Sequence, residues 1–114
     1  MGAGLRDVGP KQVYSAKISA TAGTGDVEIV AENAKKIVVI NFLYTCSATQ
    51  STLFQSYNAS TQTDLTGAMI VMANGWVKGH YNPDGHFQTI AGDSLVIERG
   101  GSIAIGGWLN YYLE

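Results

Sequence analysis

The chain has 114 residues, which fits one domain and is too short for two. Nine Asp and Glu residues stand against seven Lys and Arg residues, and Lys35 with Lys36 is the only basic pair. Nucleic-acid-binding proteins concentrate positive charge on one surface, so we expect no nucleic-acid partner. The longest strongly apolar run, residues 37–44, is too short to cross a bilayer, so we expect no membrane partner either.

The first eleven residues indicate an N-terminal arm that precedes the folded domain. They contain three glycines and one proline and follow neither the strand period nor the helix period. Leu5, Val8 and Pro10 are candidate apolar contacts if this arm orders on a partner. An ordinary disordered terminus is the alternative.

Residues 12–46 read as three strands. In residues 12–21, Tyr14, Ala16, Ile18 and Ala20 alternate with more polar positions, as in a half-buried antiparallel strand. A turn at residues 21–25 leads into a short second strand at 26–31. Residues 35–46 are dominated by β-branched and aromatic side chains on both faces, which predicts a central strand.

The middle of the chain is less regular. Residues 52–57 predict a strand, and residues 61–66 are polar and turn-like. Residues 67–73 fit either a strand or one helical turn. The Asn74-Gly75 pair predicts a β-hairpin turn, because both residues tolerate positive φ, so that residues 76–81 return as a strand.

The C-terminal third alternates strands with glycine-containing turns. The predicted strands are 86–90, 94–99 and 102–113, and the turns between and before them are 82–85, 91–93 and 100–101. Gly106-Gly107 is expected to interrupt the last strand, and marks either a bulge or a close approach of another backbone. Eight or nine short strands at this spacing predict an all-β fold, an antiparallel β-sandwich or barrel, as a single domain over residues 12–114.

The low charge content points to a protein that associates. Charged residues make up 14% of the chain, whereas about 25% is typical of soluble domains. Dense mixed charge usually keeps a monomer soluble, so part of this surface is expected to lie against partners. We therefore expect a homo-oligomer, with a neutral polar monomer as the alternative. The single cysteine, Cys46, ends an apolar run and is expected to be a small buried hydrophobic residue.

The residues offer little for catalysis. His80 and His86 flank Asp84, but a metal site needs three or four converging ligands. The histidine spacing of the cupins is absent, and so are a nucleophile motif and a phosphate-binding loop. We therefore expect no enzyme and no catalytic, metal or cofactor site, and keep a small β-sandwich enzyme only as a third hypothesis.

Aromatic residues are concentrated in the C-terminal half instead. They are Trp76, Tyr81, Trp108, Tyr111 and Tyr112. Large rings bury much area, so we expect core or interface anchors, with Trp76, Trp108 and Tyr111 as the candidate protein-interface residues. A platform on which sugars stack is the alternative.

An ordered series of motifs runs through residues 65–114. It consists of Gly67-Ala68-Met69, Ala73-Asn74-Gly75, Pro83, Phe87-Gln88-Thr89, Gly92-Asp93-Ser94-Leu95 and Gly106-Gly107 with Tyr111. The series resembles small virion structural proteins of tailed bacteriophages, the capsid decoration or cement proteins. Trp76 and Trp108 depart from that pattern, because smaller residues are expected at both positions.

The resemblance implies a jelly-roll-like β-sandwich, often a homotrimer, that sits on the outside of the virion. It implies the major capsid protein or another virion protein as partner, and synthesis in the host cytoplasm. It also implies that binding stabilises the assembled head without any catalytic residue or cofactor. The alternative function is a carbohydrate- or receptor-binding module of a tail fibre or tailspike.

Overall fold

A computed structural model describes residues 12–23, 26–30 and 34–114 of the chain. The arm predicted for residues 1–11 lies outside the described residues, and so do its candidate contacts Leu5, Val8 and Pro10.

The described residues form ten β-strands and no helix. The strands are β1 (Tyr14–Ala20), β2 (Val27–Ile29), β3 (Ile37–Cys46), β4 (Gln50–Tyr57), β5 (Gln62–Asp64), β6 (Met69–Val71), β7 (Trp76–Gly79), β8 (Phe87–Gln88), β9 (Ser94–Arg99) and β10 (Ile105–Leu113).

The strands pair in two antiparallel sheets. The first sheet has the order β1-β10-β3-β7, with β8 also beside β3, and the second has the order β2-β9-β4-β5, with β6 also beside β4. The pairing is nested, since β1 joins β10, β2 joins β9, β3 joins β7 and β8, and β4 joins β5 and β6. This is the strand order of a jelly roll, so the predicted jelly-roll-like β-sandwich is confirmed.

The core lies between the sheets, where alternate residues of each strand point inward. Its centre is an aromatic cluster in which the rings of Phe54 and Phe87 have centroids 4.6 Å apart and those of Phe42 and Phe54 are 5.2 Å apart. Tyr44 packs edge-on against Phe54, and Cys46 is buried at the end of β3, as its sequence position predicts. β3 has β10 on one side and both β7 and β8 on the other, so its predicted central position is also confirmed.

A β-bulge in β3 explains why its apolar run covers both faces. Asn41 pairs with Asn110 and Val39 pairs with Tyr111, so Ile40 is an extra residue in the ladder. Beyond the bulge the inward positions move from odd to even numbers. On the outer side Ile40 forms a small second apolar cluster with Val38 and Tyr112. β10 passes through Gly106-Gly107 without a break, so the predicted interruption is wrong. The predicted close approach of another backbone is found at Gly107, where a Cβ would lie 2.6 Å from the Tyr44 Cα.

The predicted hairpin at Asn74-Gly75 is also wrong. The turn exists, with Asn74 at φ 60° and a 2.8 Å hydrogen bond from Gly75 N–H to the Met72 carbonyl. However, β6 pairs with β4 in the second sheet, whereas β7 pairs with β3 in the first. The Asn74 N–H donates to the Cys46 carbonyl at 2.9 Å, so the turn attaches to the end of β3 and carries the chain between sheets.

Two smaller differences and one open alternative concern short strands. The turn-like segment 61–66 contains β5, which pairs with β4 although all three of its side chains are exposed. Of the two alternatives for residues 67–73, the strand is correct. The strand predicted at 86–90 shrinks to β8, which is only two residues long.

Candidate protein-binding face

Trp76 and Trp108 lie on the outer face of the first sheet. Trp108 is opposite Leu43 and Trp76 is opposite Thr45, and these two β3 residues, two positions apart, point to the same side. The exposed fractions are 63% for Trp76 and 40% for Trp108. We call the surface formed by Trp76, Trp108, Leu43 and Thr45 the tryptophan face.

Two lysines flank this surface. Lys17 in β1 is opposite Trp108, and Lys78 in β7 is opposite Leu43. The four residues therefore form one row across the sheet, Lys17–Trp108–Leu43–Lys78, which we call the basic row. Both lysines are exposed. Large exposed rings gain free energy on burial, so the apolar centre with its positively charged ends makes this row a candidate binding surface.

The tryptophan face is shallow and open. A groove of about 270 Å³ is lined by Leu43, Thr45, Trp76 and Lys78. Gly106, which pairs with Thr45, has no atom within 4 Å of the position that a Cβ would occupy. Small-molecule sites usually enclose most of their ligand. This shape instead suits contact with another broad surface.

Tyr111, the third predicted interface residue, lies on the other side of β10. It packs against the core, and its ring stacks on Tyr14 with a centroid distance of 5.4 Å. Tyr112 is buried in the small outer cluster, and Tyr81 is exposed in the connection between β7 and β8. The five clustered aromatic residues are therefore divided among different environments, and only Trp76 and Trp108 belong to the tryptophan face.

Sequence reasoning did not select Lys17, Leu43 or Lys78. Alternation along β1 did place Lys17 on the polar side of its strand. What the sequence lacks is the cross-strand register, which brings residues of four separate strands into one row. Lys78 stands two positions after Trp76 and so lies on the same side of its strand, which is the only further signal in the sequence.

Metal-ligating side chains do not converge in the part of the chain that the structure describes. A ring nitrogen of His86 contacts the backbone carbonyl of His80, and the His86 ring lies edge-on to Phe42. Among the described residues, no three His, Cys, Asp or Glu side chains are grouped closely enough to hold a metal ion. Burial raises the pKa of Tyr44, but this phenol lies in the core, where its hydroxyl is 2.7 Å from the Thr52 hydroxyl.

No protein-family model, curated protein or solved structure matches the chain significantly. The described residues contain no helix that is long and apolar enough to cross a membrane. The tryptophan face is therefore interpreted from its own chemistry.

Proposed function

We propose that this protein is a capsid decoration protein of a tailed bacteriophage, which binds the assembled head and stabilises it. One observation carries the proposal. Two exposed tryptophans share the outer face of a β-sheet with lysines at its ends, and this chemistry fits a protein partner. The motif series in residues 65–114 supplies the virion context, with the major capsid protein or another virion protein as the partner.

Such a protein would act by mass action. A protein that binds the assembled lattice and not its free subunits shifts the equilibrium towards assembly, by about 2.7 kcal/mol per site at one hundred times the Kd. A homo-oligomer, of which a trimer is the expected form, gains further through effective concentration. Tryptophan is a frequent anchor in such interfaces because burying its ring removes much apolar area from water.

The direct test is co-sedimentation with phage heads that lack the protein. The wild-type chain is expected to pellet with the heads and to raise the temperature at which they release DNA. Replacing both tryptophans, Trp76→Ser with Trp108→Ser, is expected to weaken binding roughly 30-fold or more, since truncating an interface anchor costs about 2 kcal/mol. Binding is expected to depend on these residues whether the tryptophan face contacts the head itself or a second copy of the protein on the head.

Ile90→Ser is the matched control. Ile90 is an apolar residue with 51% of its surface exposed, and it lies in the connection between β8 and β9, outside the tryptophan face. This variant is expected to bind heads like the wild type. Failure of the wild-type chain to pellet with heads, together with normal heat resistance of heads that lack it, would contradict the proposal.

A carbohydrate- or receptor-binding module of a tail fibre or tailspike is the second candidate. It is favoured by the position of Trp76 beside the open groove, with the Thr45 hydroxyl and the Lys78 ammonium available as polar partners. The C–H face of a sugar ring packs on an indole in the same way as other apolar groups. Glycan-array signals that disappear in Trp76→Ser, with no binding to heads, would favour this candidate over the first.

A further inference from the structure

The outer faces of the two sheets carry opposite charge. The strands of the first sheet contain Lys17 and Lys78 and neither Asp nor Glu. The strands of the second sheet contain Glu28, Asp64 and Glu98, and their one basic residue is Arg99. Arg99 is 5% exposed, and its guanidinium donates to backbone carbonyls of Thr21 and Ile103. The second sheet is therefore acidic on its outer side.

The acids of the second sheet are arranged like the lysines of the first. Glu28 pairs with Val96, Val96 with Gln55, and Gln55 with Asp64, which gives one row across four strands. We call Glu28–Val96–Gln55–Asp64 the acidic row. Its charged ends are exposed and its centre is buried.

The two rows match in length as well as in charge. In each row the charged ends are three strand spacings apart, or about 14 Å at about 4.8 Å per spacing. Each row also has an uncharged centre, Trp108 and Leu43 in the basic row and Val96 and Gln55 in the acidic row. Placed face to face, both lysines can reach a carboxylate at the same time.

We propose that the tryptophan face of one copy docks on the acidic outer face of the second sheet of another copy of this chain. Facing sheets pack about 10 Å apart with aligned strands, a distance that side chains from both faces fill. In this arrangement the lysines pair with the exposed Glu28 and Asp64, and Trp108 lies between the two ion pairs.

The charges also disfavour the symmetric alternatives. Two tryptophan faces would bring lysines against lysines, and two acidic faces would bring carboxylates against carboxylates. The contact is therefore heterologous, with different surfaces on the two copies, and it generates either a closed ring or an open chain. This inference does not rest on the phage assignment, because self-association is measured without phage heads.

Sedimentation equilibrium tests the proposal. The wild-type chain is expected to sediment above its monomer mass of 12.1 kDa. Lys17→Glu with Lys78→Glu reverses the basic row, and Glu28→Lys with Asp64→Lys reverses the acidic row. Each double variant alone is expected to be monomeric. An equimolar mixture is expected to associate again, because every basic face then meets an acidic face on the other variant.

Two further measurements make the result specific. Association of the wild type is expected to weaken between about 0.1 M and about 1 M salt, where the screening length falls from about 10 Å to about 3 Å. All four reversed side chains are exposed, and circular dichroism checks that each variant folds. Asp64 accepts a 2.9 Å hydrogen bond from Gln55, so Asp64→Asn, which keeps an acceptor oxygen, replaces Asp64→Lys if the latter does not fold.

Three outcomes would overturn the proposal. The first is a wild-type chain that is monomeric at every concentration measured. The second is dissociation by reversal of the basic row but not of the acidic row, which would indicate an interface that leaves the second sheet free. The third is a mixture of the two folded variants that remains monomeric.

Discussion

Gly107 in β10 lies directly opposite Tyr44 in β3, and the two backbones approach each other so closely there that no side chain fits. A Cβ built at Gly107 would stand 2.6 Å from the Tyr44 Cα and would overlap the Leu43 carbonyl oxygen. The neighbouring Gly106 has no atom within 4 Å of the same position. In the sheet that carries the tryptophan face, there is therefore no room for a side chain at Gly107 and free space for one at Gly106.

This difference predicts opposite effects for two adjacent substitutions. Gly107→Ala is expected to lower the free energy of unfolding by about 1–3 kcal/mol or more, because β10 and β3 must separate to admit the methyl group. Gly106→Ala is expected to be neutral or to stabilise by up to about 1 kcal/mol, since alanine loses less backbone entropy on folding. Urea unfolding measures both values, and equal effects would contradict the close approach.

Tyr44 predicts how stability depends on high pH. Burial raises the pKa of Tyr44 above its usual value of 10.0, the hydrogen bond with Thr52 opposes that rise, and the nearby Cys46 adds to it. Above pH 10 the unfolded chain therefore loses this proton while the native chain retains it. The contribution of Tyr44 to the free energy of unfolding is therefore fully present below pH 10 and falls as pH rises above it. The slope from this group is at most about 1.4 kcal/mol per pH unit.

Tyr44→Phe isolates that contribution. The variant is expected to lose about 1–2 kcal/mol at neutral pH, because the buried Thr52 hydroxyl loses its 2.7 Å partner. Its stability is expected to decline less steeply than that of the wild type above pH 10. Urea unfolding at several pH values tests this, and parallel curves for the two chains would show that Tyr44 does not titrate with folding.

Much of the architecture follows from patterns within single strands. The alternation through Tyr14, Ile18 and Ala20 identifies β1 and its inward side, and β9 was predicted with the bounds it has. The hairpin at Asn74-Gly75 was not predictable as a crossover, because a turn signal fixes the local backbone and not the sheet that follows. The strand that follows is fixed by distant residues of β3, which pair with β7 and whose Cys46 carbonyl accepts the Asn74 N–H.

The candidate site was predictable only in part, for a related reason. Trp76 and Trp108 stand out in the sequence as large rings, whereas Tyr111 has the same appearance but faces the core. Trp108 and Tyr111 are three positions apart in β10 and face opposite sides, but both sides of this strand carry large rings, so the strand alone does not show which side is the core. In β3 the bulge at Ile40 also reverses side-chain direction. Without the bulge, a strict period of two would place Ile37 and Phe42 on opposite faces, although both are in the core.

Two glycines with nearly equal φ angles provide a third test. Gly85 has φ 92° and Gly92 has φ 88°, so alanine pays a similar backbone cost at either position, about 1 kcal/mol. A Cβ at Gly85 would also overlap a methyl group of Val38, whereas a Cβ at Gly92 would meet no atom within 4 Å.

Gly85→Ala is therefore expected to destabilise the protein by about 1–3 kcal/mol more than Gly92→Ala, which is the cost of the added steric conflict. Thermal unfolding of the two variants gives the comparison. Equal losses would mean that the turn at residues 82–85 moves away from Val38 without cost.

Gln50 predicts a local loss of order in the connection between β9 and β10. This side chain is 5% exposed, and its Oε1 accepts hydrogen bonds from Ile103 N–H at 2.9 Å and from Gly101 N–H at 3.3 Å. Its Nε2 donates to the Ile103 carbonyl at 3.1 Å, but Arg99 donates to that oxygen as well. In Gln50→Leu the two N–H groups lose their acceptor while the carbonyl keeps one partner.

The expected cost of Gln50→Leu is about 1–2 kcal/mol, because the partly buried Ile103 N–H and the exposed Gly101 N–H each lose a hydrogen bond within the protein. Amide hydrogen exchange at Ile103 is expected to accelerate beyond the global change, while Gly100, which donates to the Ser51 carbonyl at 2.8 Å, remains protected relative to it. Gln62→Leu is the control, since Gln62 is exposed in β5, and its stability is expected to stay within about 0.5 kcal/mol of the wild type. Uniform acceleration across all amides in Gln50→Leu would mean that Gln50 stabilises the whole sandwich and not this connection.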